Sequence, residues 1–337
     1  MAGHSGKKAI VAALLANAGI AVAKFVAFLV TGASSMLAES IHSVADSSNQ
    51  GLLLLGQNRA RRGPSAEHPF GYARERYFWA FVVAIVLFTL GGAFSMFEGY
   101  EKLRHPEELG SIWWAVGVLV VAIGLESFSL RTAVRESAAA KGSQSWWSFV
   151  RTAKTPELPV VLLEDVGALF GLIFALAGVA LSEITGNSRF DALGSIVIGI
   201  LLAAIGILLA VEMKGLLIGE SASTPDMDAI RETLATSPHV RRILDLKSQH
   251  LGPEELLVAA KVELDAELSF RDVARAIDDA EQRIRERMPS AVHLYVEPDV
   301  PADAGAGESG ATGPSTTEPS TAEPASGPSS SRPSPSA

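Results

Sequence analysis

Apolar residues in the first two thirds of the chain come in long stretches, near 10–31, 36–57, 78–98, 112–133, 158–181 and 191–215, parted by polar or Gly/Pro-rich links. A helix rises about 1.5 Å per residue, so roughly 20 mainly apolar residues cross a bilayer. The pattern predicts about six transmembrane helices. The first stretch, IVAALLANAGIAVAKFVAFLV, follows Lys7 and Lys8 as a secretory signal would. It exceeds the usual signal core of roughly 7–15 apolar residues, and further spans follow directly, so it reads as a retained span.

Beyond Glu220 the long apolar runs give way to alternating, mixed-charge sequence. Thr224-Pro225 opens a helix to about Ala235, with proline in its favoured first turn. Two strands follow near 241–250 and 255–265. Ser269 and Asp272 make a capping pattern before VARAIDDAEQRIRER, and AVHLYVEP alternates as a last strand. The order α-β-β-α-β predicts a small two-layer α/β unit. From about Pro301 to Ala337 the chain is almost wholly Ala, Gly, Ser, Thr, Pro and Glu, too poor in apolar groups to offset chain entropy, and reads as a disordered tail. The expected division is a six-helix membrane domain over 1–219, a cytoplasmic α/β domain over 220–299 and a Pro/Ser/Thr-rich tail over 300–337.

Basic residues orient the spans. Lys and Arg are retained on the cytoplasmic side, and they crowd two links: Arg59, Arg61, Arg62, Arg74 and Arg76 after the second span, and Arg131, Arg135, Lys141, Arg151 and Lys154 after the fourth. The link between spans one and two has no basic residue, and the other two have only Lys102 with Arg104, and Arg189. Both termini should therefore be cytoplasmic, in a protein of the plasma membrane. Composition agrees: the chain is 48% hydrophobic and 19% charged, against about a quarter charged in soluble proteins. It has no cysteine, which excludes disulfides and thiolate metal sites. The net charge of −9 resides largely in the segment after 219 and implies no nucleic-acid partner.

Ionisable groups inside the spans carry the chemistry. The second span places Glu39, His42 and Asp46 at i, i+3 and i+7, on one helical face. The fifth places Glu164 and Asp165 in an otherwise apolar run. An ionised carboxylate at the bilayer centre costs at least ~2.5–3.5 kcal/mol, so such groups face a partner, a bound ion or water. Adjacent helical residues point about 100° apart, so Glu164 and Asp165 cannot both face the second span. A divalent cation held by the His42 imidazole and two or three of these carboxylates, with His42 and Asp46 one turn apart, is the simplest account. The alternative is that the acids snorkel to the headgroups and His42 hydrogen-bonds a neighbouring helix. Glu126 in the fourth span, Asn17 and Asn49 are weaker pathway candidates: each Asn also suits interhelical bonding, and Glu126 could pair with Arg131. His68, in a His-Pro-Phe-Gly turn, reads as structural, and Tyr77, Trp146 and Trp147 as interfacial anchors.

With these residues in place, residues 7–299 resemble the cation diffusion facilitator family of divalent-metal transporters. The resemblance rests on the six-helix arrangement, His42-x-x-x-Asp46, the acid in span five, His68-Pro69-Phe70-Gly71-Tyr72 and the trailing α-β-β-α-β domain. The LLED stretch and HPFGYARERYFW are more similar to the subgroup related to the ninth member of the animal zinc-transporter family. The resemblance implies a proton-coupled antiporter, not an enzyme, working as a homodimer joined through its cytoplasmic domain and needing no cofactor. It makes His42, Asp46 and Asp165 the metal ligands, His42 and Asp46 as the first pair and Asp165 as half of the second, whose other position is Val161 where the family commonly has His or Asp, so that Glu164, Glu39 or water would fill the fourth place. Zinc is the favoured substrate; an oxygen-richer site would accept Mn²⁺, Fe²⁺ or Co²⁺ more readily, and Cd²⁺ is a further alternative. The cytoplasmic domain has Leu244, Lys261 and Tyr295 where metal-binding relatives carry ligands, leaving Glu297, while His250 and His293 lack companions. It is expected to dimerise and bind little or no metal. A transport-deficient scaffold or metal-responsive regulator of the same fold is the other reading.

Overall fold

A computed structural model describes residues 18–30, 32, 34–106 and 112–301. Asn17, the side chain of Glu39 and the sequence beyond Pro301 lie outside the described residues. The membrane part comprises α1 (Ala18–Val30) and α2 (Ser34–Ala60), α3 (Glu75–Arg104) and α4 (Ile112–Lys141), a short α5 (Trp146–Thr152), then α6 (Glu157–Thr185) and α7 (Arg189–Ile218). Among the described residues, four helices are long and apolar enough to cross a membrane: α3, α4, α6 and α7. Helix α2, at 27 residues, has the length, but Ser, Asn and Gln beside His42 and Asp46 dilute its apolar character. The short α5 was not expected. Ser145 Oγ accepts from Ser148 N at 3.1 Å to cap it, and Phe149 packs with Ala133 of α4 and Leu162 of α6.

Helices α3 and α7 approach backbone to backbone. A Cβ on Gly92 would lie 2.8 Å from the Cα of Ala203, and one on Gly199 2.6 Å from the amide of Met96. Gly92 falls in a π-helical stretch, Leu87–Ala93, whose wider turn sets the local register of this contact. With no hydrophobic drive between helices in lipid, such close packing carries the association. Gly92→Val should therefore cost about 1–3 kcal/mol through overpacking, read as a lower melting temperature in detergent.

The last third forms the expected α-β-β-α-β unit: α8 (Thr224–Ala235), β1 (Val240–Gly252), β2 (Glu255–Leu264), α9 (Phe270–Arg287) and β3 (His293–Pro298). Strand β2 is central, antiparallel to β1 and parallel to β3. Its alternation puts Leu256, Val258, Ala260 and Val262 into a core with Ile230 and Leu234 of α8 and Ala280 and Ile284 of α9. Ser223 and Ser269 each cap a helix, accepting from Asp226 N and Asp272 N. Lys261 pairs with Glu297 at 3.6 Å and Asp299 at 3.1 Å, so Glu297 faces an ammonium.

Several contacts join this unit to the bundle. Gln249 Nε2 donates to Ile218 O at 3.1 Å, His250 N donates to Glu220 O at 2.8 Å, and Lys154 pairs with Glu220. Arg76 of α3 grips Glu157 of α6 within the bundle, through Nε at 2.7 Å and Nη2 at 2.9 Å, and its Nη1 lies 3.8 Å from Glu254 of the α/β unit. The His68 turn closes through Gly71 N to His68 O at 2.9 Å with Gly71 at φ +81°, a left-handed position suited to glycine. His68 stacks on Tyr72, and Phe70 meets His293 edge-on at 5.2 Å. Trp146 and Trp147 are exposed, as interfacial anchors would be, but Tyr77 is fully buried. The Tyr77 reading is corrected: it shares the inward stripe of α3 with Ala80, Val83, Ala84 and Leu87.

Burial holds the His250 imidazole below its ordinary pKa, opposed by a bond to the Gly252 carbonyl, with Lys154 adding to the depression and Asp226 and Glu220 opposing it. As pH falls through about 6.5, the unfolded chain takes up a proton that the folded one refuses, so stability is lost on acidification and regained above that pH. His250→Gln should flatten this slope, measured by melting in detergent between neutral and mildly acidic pH.

Candidate metal site in the helical bundle

Helix α2 carries the centre of the site. His42 is fully buried and Asp46 is 7% exposed, one turn apart as the i, i+4 spacing dictates. His42 Nδ1 and Asp46 Oδ1 lie 3.4 Å apart yet are not aligned for a hydrogen bond. Both imidazole nitrogens and Asp46 Oδ1 are buried without a hydrogen-bond partner among the described residues. Such orphans are costly in a protein core and uncommon.

One turn further on, Asn49 Nδ2 donates to Glu164 Oε1 of α6 at 2.6 Å, and the Glu164 and Asp46 carboxyls come within hydrogen-bond reach of each other. Asp165 points elsewhere: Ser129 of α4 donates to its Oδ2 at 3.0 Å. The two acids of α6 thus divide between neighbouring helices, as the 100° offset requires, and the acid beside Asp46 is Glu164. Val161 packs among apolar residues with Phe149 and Ala133. Asn49 acts as the interhelical bond foreseen for it. Glu126, 9% exposed, lines a narrow crevice with Ile20, Ser43 and Asp46, while its alternative partner Arg131 is exposed. Among the described residues, no three His, Asp or Glu side chains converge into a preformed metal cage.

Lys24, a functional candidate that the sequence reading passed over, is fully buried on α1, and its Nζ donates to Ser43 Oγ at 2.8 Å. The signal was present: one lysine inside the apolar run IVAALLANAGIAVAKFVAFLV. Ser129, the partner of Asp165, gave none, since a serine in a span is common.

A helical bundle that gathers an imidazole, four carboxyls and an ammonium into its interior, with a small α/β unit behind it, defines an integral membrane protein built around charged groups. The chain belongs to the cation efflux family: the family's transmembrane domain matches residues 10–218, and the domain described as "Cation efflux protein, cytoplasmic domain" matches 222–299. It is 33% identical over 295 residues to "Proton-coupled zinc antiporter SLC30A9, mitochondrial" of Mus musculus, covering 86% of this chain and 52% of that protein. "Metal tolerance protein C4" of Arabidopsis thaliana is 30% identical over 267 residues, covering 79% and 58%. "Magnetosome protein MamB" of Paramagnetospirillum magneticum is 24% identical over 284 residues, covering 82% and 89%. The chain spans about half the length of the animal relatives it matches.

Proposed function

We propose that this chain carries a divalent metal cation, zinc by preference, across the membrane in exchange for protons. Alternating access would expose a site between the second and fifth spans to each side in turn. The ligands are His42 and Asp46 from α2 and Asp165 from α6, with Glu164 as the fourth; Asp165, which accepts from Ser129 of α4 in the state described, would join them when α6 shifts on metal binding. The observation that supports this most is the set of buried, partnerless atoms on His42 and Asp46. An imidazole and a carboxylate one turn apart are a natural half-site for a borderline cation, and a bound cation would satisfy the lone pairs that the protein leaves unpaired. Protons and metal compete for the same imidazole and carboxyl groups, which supplies the exchange.

The remaining assignments form part of the same proposal. Residues 1–219 form the transport unit and 220–299 a cytoplasmic unit that pairs two copies, with both termini cytoplasmic. The named function of the zinc antiporter relatives supports the substrate, and their mitochondrial label makes a mitochondrial membrane as open to this chain as the plasma membrane.

Purified protein in vesicles tests the reading. Zinc uptake should saturate, follow an imposed pH gradient and be inhibited by competing metals. Absence of flux from folded wild-type protein would favour a scaffold, and unsaturable flux indifferent to pH a channel. Competition among Zn²⁺, Mn²⁺, Fe²⁺, Co²⁺ and Cd²⁺, repeated in Val161→His, reads metal preference.

A further inference from the structure

The transport cycle just proposed leaves Lys24 without a role. Its ammonium is fully buried on α1 and anchored on Ser43, the residue next to His42. Its charge acts on His42, Asp46 and Glu126. Ile20, one turn before it, lines the crevice that Ser43, Asp46 and Glu126 share, so Lys24 stands where α1, α2 and α4 meet around the acids. Holding two helices together does not require a charge: a serine or asparagine does it without desolvating an ion. What an ammonium adds over a neutral donor is the ability to balance carboxylates.

We infer that Lys24 is a specificity-determining residue of the transport site, a tethered monovalent cation that balances the Asp46 and Glu126 carboxylates between loads and that an arriving cation must outcompete. The inference rests on the transport reading above. A divalent ion carries twice the charge of the ammonium and wins. Free sodium or potassium gains nothing over a charge already in place, and so is rejected despite its abundance. The same ammonium weakens the hold on the metal and assists its release.

The test compares Lys24→Met, Lys24→Gln and Lys24→Arg in the full-length protein. Zinc binding is titrated in detergent with and without sodium, and zinc flux is followed in vesicles. Glutamine is neutral but keeps a donor for Ser43, so it separates charge from hydrogen bonding. Both neutral variants should bind zinc about tenfold more tightly, as expected from losing one nearby positive charge. Their zinc binding should become sensitive to sodium, and in vesicles KM should fall together with the maximal rate. Lys24→Arg, which keeps the charge, should retain the wild-type affinity and sodium indifference. The inference is overturned if Lys24→Gln binds zinc as the wild type does, or if Lys24→Arg behaves as the neutral variants do. Should Lys24→Met fail to fold, the glutamine variant decides. Wild-type vesicles without flux would sink the transport reading, while the binding comparison would still decide the part played by Lys24.

Discussion

Replacing Asp46 with alanine is expected to lower zinc flux at least about a hundredfold while leaving the protein folded. Asp46 is where the site's elements meet. It stands one turn from His42, within reach of Glu164 across the α2–α6 contact, and on the wall of the crevice that Glu126 lines. Loss of groups that merely orient metal ligands costs about 10–100-fold in affinity or activity, and loss of a ligand should cost no less. The variant should not unfold, because Asp46→Ala removes a carboxyl crowded by Glu164 and leaves Glu126 in place to balance the Lys24 ammonium. Its melting temperature in detergent should equal or exceed that of the wild type. A variant that loses flux and melts several degrees lower would show Asp46 to be structural, and one that keeps its flux would remove it from the site.

The second large effect concerns Glu164. Its carboxyl accepts from Asn49 and faces Asp46, so it can complete a site begun by His42 and Asp46. Glu164→Gln preserves shape and can still accept from Asn49, yet it removes an anionic ligand. Zinc Kd should rise about 10–100-fold, read by titration of the purified protein. Asp165→Asn should also reduce flux, since Asp165 is one of the ligands proposed above. If Asp165→Asn weakens binding and Glu164→Gln does not, Glu164 is a pathway residue and the fourth ligand lies elsewhere.

These expectations differ in how far the chain alone supports them. The bundle was legible because lipid leaves the backbone no partner but itself, so each span announces itself as a long apolar run. The predicted spans at 158–181 and 191–215 correspond to α6, Glu157–Thr185, and α7, Arg189–Ile218. The α/β unit was legible through local devices: Ser223 and Ser269 cap their helices, and strict alternation marks β2. The short α5 escaped because seven residues hold too little periodicity, and its stability comes from packing against α4 and α6. Tyr77 was misplaced for a related reason. An aromatic near a span end suits either the interface or the bundle interior, and only the rotation of α3 decides.

The site divides along the same line. His42, Asp46, Glu164 and Asp165 stood out as charges in apolar surroundings, and helical spacing alone put His42 beside Asp46 and set the two acids of α6 on different faces. Which of those acids meets α2 depends on how α6 is turned against its neighbours. That rotation is set by packing across the α2, α4, α6 and α7 contacts, not by any local signal. Lys24 shows the limit most clearly: as a sequence it is one lysine in the first span, and its place against Ser43, beside the acids of the second and fourth spans, exists only once three helices are assembled. The sequence by itself thus determined the spans, the soluble unit and the inventory of charges, because burial in lipid and local capping are written residue by residue. The tertiary structure decided which charges meet, because that depends on helix rotations fixed jointly by distant contacts.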